Sequence, residues 1–127
     1  IVNDPSDSKA GHYYGSLDVV KNFVGTAPNI HYCRGVFPNT AAMVPDDVTF
    51  ALVHLDCDLY EPMKAACEFF YDRLEPGGML IIHDYHSGCW AGVQQAVDGY
   101  FADKPENPVL IPDKSGSAVI VKNTAPK

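Results

Sequence analysis

Two short stretches hold most of the side chains that could do chemistry. The first is His54-Leu55-Asp56-Cys57-Asp58-Leu59-Tyr60 and the second is Ile82-His83-Asp84-Tyr85-His86. Each closes an apolar run that reads as a buried strand, and in open α/β sheets the active groups gather beyond the carboxyl ends of the strands. If the two strands are neighbours, Asp56 and Asp84 stand about 5 Å apart, the spacing of adjacent strands. Two or three carboxylate oxygens at that spacing suit a hard divalent cation such as Mg2+, which prefers oxygen ligands and keeps some waters. Such an ion could hold a substrate hydroxyl and lower its pKa. A plainer reading competes, because acids at strand ends also cap the next helix or simply face solvent. Asp58 and Glu61 stand where a helix beginning near Pro62 would take its cap. A lone strand-end histidine such as His83 is more often a hydrogen-bonded structural residue than a ligand. His54 is expected in the core, and His12, His31 and His86 carry no spacing signal.

The elements that must position these residues can be read from periodicity. Val48 to Leu55 is a nearly continuous apolar run, the mark of a strand buried on both faces of a parallel sheet. Pro62 fits a first helical turn, and Met63, Ala66, Cys67, Phe70 and Leu74 follow on one helical face. Pro76-Gly77-Gly78 is expected to end that helix before a second strand, Met79 to His83. Strand, helix and strand then make one βαβ crossover. A helix is expected from Ala91 to Ala102, with Val93, Ala96, Val97, Tyr100 and Phe101 on one stripe. Val109-Leu110-Ile111 and Ser117 to Val121 read as strands, and the short Pro112–Gly116 link forces them antiparallel, since a parallel pair needs a crossover of about a dozen residues. Upstream, residues 1–15 read as loop. Ser16 to Gly25 reads as a helix with Ser16 as N-cap and Gly25 as its stop. Ile30 to Cys33 reads as a short strand, and Gly35 to Asp47 as loop with a helical turn. The fold class is therefore α/β, a Rossmann-like parallel sheet with a C-terminal antiparallel hairpin strand.

Composition bounds the rest. The 127 residues predict a single domain, 46 % hydrophobic and 20 % charged, an ordinary globular balance. A net charge of −7 with nine scattered basic residues argues against nucleic acid or an anionic membrane, because phosphates need clustered Lys and Arg. No stretch approaches the roughly 20 apolar residues that span a bilayer. Cys33, Cys57, Cys67 and Cys89 lack C-x-x-C spacing and sit in apolar segments, so they read as reduced, buried thiols of a cytoplasmic protein. The opening Ile1-Val2-Asn3-Asp4-Pro5 looks like the middle of something longer.

Several stretches together resemble the macrocin O-methyltransferase family. They are Phe50 through Pro62, Phe69 through Gly78, Ile81 through Tyr85, Trp90-Ala91-Gly92-Val93 leading into Ala96-Val97-Asp98, and Ser115 through Lys122. The resemblance implies a class I methyltransferase that uses S-adenosylmethionine, assisted by Mg2+, to methylate a hydroxyl of a sugar or other small natural product. By it, Asp56 and Asp84 would be metal ligands and Asp58 the general base. Where the family has Asp-Asp-Tyr, this chain has His83-Asp84-Tyr85, so His83 would be a ligand poorly matched to Mg2+ or itself a base. Gly35 and Val36 would lie beside the donor's adenine, although Gly35 also fits a plain turn. The glycine-rich turn of that fold has no counterpart here, so the chain is expected to be an N-terminally truncated methyltransferase domain, itself inactive on one reading. Two rivals stand beside the methyltransferase: a Mg2+-dependent phosphohydrolase using Asp56, Asp58 and Asp84, and a non-catalytic module forming a homo-oligomer through a bare sheet edge.

Overall fold

A computed structural model of the chain describes residues 15–124. The loop expected over residues 1–15, with His12, lies outside that range except for Gly15. Helix α1, Leu17–Val24, starts where Ser16 accepts the Val19 N–H at 3.3 Å and stops at Gly25, whose φ of 91° favours glycine. A single 3₁₀ turn, Asn39–Met43, occupies the loop that follows. Strand β1 (Phe50–Leu55), helix α2 (Tyr60–Arg73) and strand β2 (Leu74–Ile82) form the crossover unit. Helix α3 (Ala91–Phe101) leads to strands β3 (Val109–Leu110) and β4 (Ala118–Val121).

The sheet order is β1-β2-β4-β3. β1 and β2 are parallel in register Leu52↔Met79 to Leu55↔Ile82, while β4 runs antiparallel to both of its neighbours. The hairpin partner β4 thus inserts between β2 and β3. Its turn is tied by Asp113, whose carboxylate accepts the Ser117 N–H at 2.9 Å. Gly116 is required there, because a Cβ would meet the His86 carbonyl at 2.7–2.8 Å and φ is +61°. The Gly116 carbonyl accepts the His86 N–H at 2.8 Å, so the hairpin turn supports the loop after β2.

Both long helices cover one face of the sheet. Met63, Ala66 and Cys67 of α2 and Val93, Ala96 and Val97 of α3 join Val53, Leu55, Leu80, Ile82 and Ile120 in one core. Burying a side chain of this size contributes about 1.5–3 kcal/mol. The opposite face stays open, with the cross-sheet row Leu52, Met79 and Val121 exposed. This corrects the expectation of a strand buried on both faces: β1 alternates, its Val53 and Leu55 inward and its Leu52 and His54 outward. His54 is therefore exposed, not core.

Three further expectations change. Ile30 to Cys33 forms no strand, because no described strand runs alongside to supply ladder partners. Pro76-Gly77-Gly78 does not end α2; the helix closes at Arg73 and the triplet forms an irregularity inside β2, where the register shifts between Phe50 and Leu52. Gly78 allows this, since a Cβ would meet the Glu75 and Ala51 carbonyl oxygens at 2.8 and 3.1 Å. All four cysteines are free, but only Cys67 is fully buried, while Cys33 and Cys89 are exposed. Their segments are apolar in sequence, but both lie in surface loops.

At the other end of α2, Lys122 Nζ donates to the Tyr71 and Leu74 carbonyls at 2.8 Å each, satisfying helix-terminal acceptors. Among the described residues no helix is long and apolar enough to cross a membrane.

Candidate functional site

The carboxyl ends of β1 and β2 lie side by side because those strands pair in parallel. The His83 N–H donates to the Leu55 carbonyl at 2.9 Å, continuing the ladder one residue beyond β2 and fixing the backbone of the second stretch against the first. Past that point both chains turn sharply. Asp58 and Asp84 adopt φ of 60° and 58°, the only non-glycine residues in left-handed backbone among those described. Such conformations cost about 1–3 kcal/mol each and cluster at functional sites. Asp58 does not cap the helix: the N-cap of α2 is Leu59, with no side-chain cap bond.

Asp56, Asp58, His83, Asp84 and Trp90 line one cleft of about 420 Å3. One ligand atom from each of Asp56, His83 and Asp84 falls within 4.8 Å of the others. His83 Nδ1 is 3.1 Å from Asp56 Oδ1 and 3.2 Å from Asp84 Oδ2. These distances would allow ion pairs, yet Nδ1 is a buried atom with no aligned hydrogen-bond partner. Distance is satisfied and direction is not, as expected when three donor atoms converge on a common point rather than on each other. Ligands at 2.1 Å and right angles about an octahedral ion are separated by roughly 3.0 Å, and the two spacings from His83 Nδ1 to the carboxylates match that value.

Burial pushes the Asp58 carboxyl up from its ordinary value, and the neighbouring charges of Asp56 and Asp84 add to the effect against a smaller opposing pull from His83. Cys57, between the two acids, is pushed up to about 11 by burial and then by Asp56 and Asp58, which makes it an unreactive thiol. The Tyr85 hydroxyl donates to Asp98 Oδ1 on α3, tethering the loop that carries Asp84.

Residues 17–116 match the family model described as macrocin-O-methyltransferase (TylF). The chain belongs to the macrocin O-methyltransferase family. It is similar to a Streptomyces olivaceus protein, 8-demethyl-8-(2,3-dimethoxy-α-L-rhamnosyl)-tetracenomycin-C 4′-O-methyltransferase, at 31 % identity over 113 residues, 88 % of this chain and 38 % of that one. In structure it resembles the O-methyltransferase NovP, with a TM-score of 0.70 at 24 % identity over 84 % of this chain and 43 % of NovP, a likeness of fold. It also resembles CalS11, a TDP-rhamnose 3′-O-methyltransferase of calicheamicin biosynthesis, with a TM-score of 0.54 at 27 % identity over 66 % of this chain and 36 % of that one. The chain thus spans about two fifths of the length of these relatives, and the sheet is a partial class I methyltransferase fold.

For this family member, the structure brings together the four residues read from sequence as metal or proton-transfer candidates: Asp56, Asp58, His83 and Asp84. It does not bring Gly35 and Val36 to them. Gly35 lines a separate hollow of about 280 Å3 with Ser16, Val20, Tyr32 and Arg34, and its φ of 147° and close approach to Thr40 account for the glycine. Val36 is 74 % exposed. Trp90 was missed as a site residue. It is 7 % exposed, the single tryptophan of the chain, and it precedes α3 directly after the site loop, a position that could have drawn notice.

Proposed function

We propose that this segment supplies the acceptor-activating end of an S-adenosylmethionine-dependent O-methyltransferase that methylates a hydroxyl of a sugar on a small natural product. The observation that carries the reading is the convergence of Asp56, His83 and Asp84 on one point, with Asp58 and Trp90 on the same cleft, in a chain of this family. The relatives named for rhamnosyl and TDP-rhamnose substrates favour a deoxysugar acceptor. Bound S-adenosylmethionine supplies the methyl group, and a cation bound to the triad supplies Lewis acidity toward the acceptor oxygen. Asp58 takes the acceptor's hydroxyl proton as that oxygen bonds to the methyl carbon and the carbon–sulfur pair leaves on sulfur. Trp90 forms an apolar wall that limits water at the reacting oxygen.

The test uses a protein containing these residues, supplied with S-adenosylmethionine, a divalent cation and a rhamnosylated acceptor. Asp58→Asn should lower kcat by about 10²–10⁴, the usual contribution of general base catalysis. Unchanged kcat would remove Asp58 from the mechanism, and no methyl transfer to any glycosylated acceptor would sink the assignment. The 127-residue chain alone, with its exposed Val36, should show no melting shift with millimolar S-adenosylmethionine, whereas a bound ligand at a hundredfold excess over Kd would stabilise it by about 2.7 kcal/mol.

A further inference from the structure

The donor set at the strand ends is two carboxylates and one imidazole nitrogen, and that composition carries a consequence for which ion it takes. We propose that the Asp56–His83–Asp84 site selects a first-row transition-metal dication, in the range Mn2+ to Zn2+, over Mg2+, and that His83 Nδ1 sets this choice. The inference rests on the metal-binding part of the proposed function.

Mg2+ takes oxygen donors at 2.0–2.1 Å and surrenders water reluctantly. An imidazole nitrogen gives it little in exchange, whereas nitrogen donors raise affinity along the series from Mn2+ through Co2+ and on to Cu2+, with Zn2+ also well served. His83 is not a peripheral member of the set. Its Nδ1 stands 3.1 and 3.2 Å from both carboxylates, is itself buried and has no aligned hydrogen-bond partner. Its backbone is fixed by the Leu55 carbonyl, and its ring packs edge to face on His54 with centroids 5.9 Å apart, so turning the ring away from the carboxylates would disturb the His54 contact. Charge agrees with this. Two carboxylates and a neutral imidazole balance a dication, whereas a third carboxylate would leave an excess negative charge that favours a hard ion. The ligands also differ in exposure, Asp56 at 55 % and Asp84 at 16 % of their side chains, so one side of the site opens to water and an acceptor oxygen.

Competition titration of the 127-residue chain with Co2+ and Mg2+ tests the idea, with Co2+ followed by its visible absorption and by the NMR signals of the His83 ring. Co2+ should bind more than about tenfold tighter than Mg2+ and should give the His83 ring, and not the neighbouring His54 ring, the large contact shifts of a nitrogen ligand. His83→Asp should bring the two affinities together by about tenfold or more, while His31→Ala, at an exposed histidine outside the cleft, should leave their ratio unchanged. Circular dichroism establishes that each variant is folded, and the wild-type ring signals report independently of any variant. Binding of both ions with no preference, or a ratio unmoved in folded His83→Asp, overturns the selectivity while leaving a metal site in place. No binding of either ion overturns the selectivity and the metal part of the proposed function together.

Discussion

Helices α1 and α3 carry the same kind of signature in sequence and meet opposite fates. Both have apolar residues at helical spacing, and both begin and end close to where the sequence predicts. α3 buries Gly92, Val93, Ala96, Val97 and Phe101, while α1 buries nothing and leaves Phe23 92 % exposed. The difference lies in what faces them. α3 packs against α2 and shares one core with the sheet, whereas among the described residues α1 is held by its Ser16 cap, its Gly25 stop and contacts with Tyr32. An eight-residue helix is too short to be stable by itself in water. Amphipathicity therefore states that a surface needs a cover and says nothing of where the cover is. Apolar area contributes only when it leaves water.

The largest effect separating the two regions should come from the core. Leu80 is fully buried on β2, paired with Val53 of β1 and Ile120 of β4 in the core that α2 and α3 share, so Leu80→Ala removes apolar contacts and leaves a cavity. A loss of about 2–5 kcal/mol is expected, read as a lowered urea midpoint with unchanged slope. A loss under about 1 kcal/mol would mean that the covered face is less tightly packed than its burial indicates.

The same contrast explains what could be read from sequence. The strand ends and their acids were legible because buried apolar runs announce strands and a helix between them forces parallel pairing. Asp56, Asp58, His83 and Asp84 follow directly from that. Burial on both faces of β1 was not decidable, since the run from Val48 to Leu55 is apolar whether or not its outer side is covered. Ile30 to Cys33 has strand-like residues, but a strand exists only with a ladder partner. The Pro76-Gly77-Gly78 irregularity hides because the same residues end helices elsewhere. Long-range polar contacts were invisible as well: Glu106 is 5 % exposed and meets Tyr71, 35 positions away in sequence.

That carboxylate gives the second test, of intermediate size. Glu106 Oε2 accepts the Tyr71 hydroxyl at 2.7 Å and Oε1 accepts the Asn123 N–H at 2.8 Å, joining α2 to the chain after β4. Burial alone would raise its pKa, but these donors, with the charge of Lys122, outweigh it and hold the carboxyl below its ordinary value near 4.5. A lowered native pKa contributes stability that is present above the unfolded value and lost as pH falls through the native one. Wild type should therefore lose this contribution below about pH 4.5, in chemical denaturation measured across pH. Glu106→Ala should cost about 1–3 kcal/mol at pH 7, by leaving two donors unmet, and should flatten the acid dependence. Equal slopes in both proteins would mean that Glu106 is not the group responsible.

The smallest effect tests the other region. Phe23 sits on α1 with almost all of its surface in water, so truncating it removes no packing. Alanine is also the better helix former, by a few tenths of a kcal/mol. Phe23→Ala should therefore leave stability within about 0.5 kcal/mol of wild type, as for surface positions without a special role. The measurement needs two protein concentrations. If Phe23 is covered by a second copy of the chain, melting will rise with concentration in wild type and the variant will lose that dependence, because a partner that binds only the folded state stabilises it by mass action. Concentration-independent melting that Phe23→Ala leaves in place would agree with α1 standing apart from the core of the described residues. A loss of 2 kcal/mol or more, of the order seen for buried aromatics, would show that α1 and α3 differ less than their burial says.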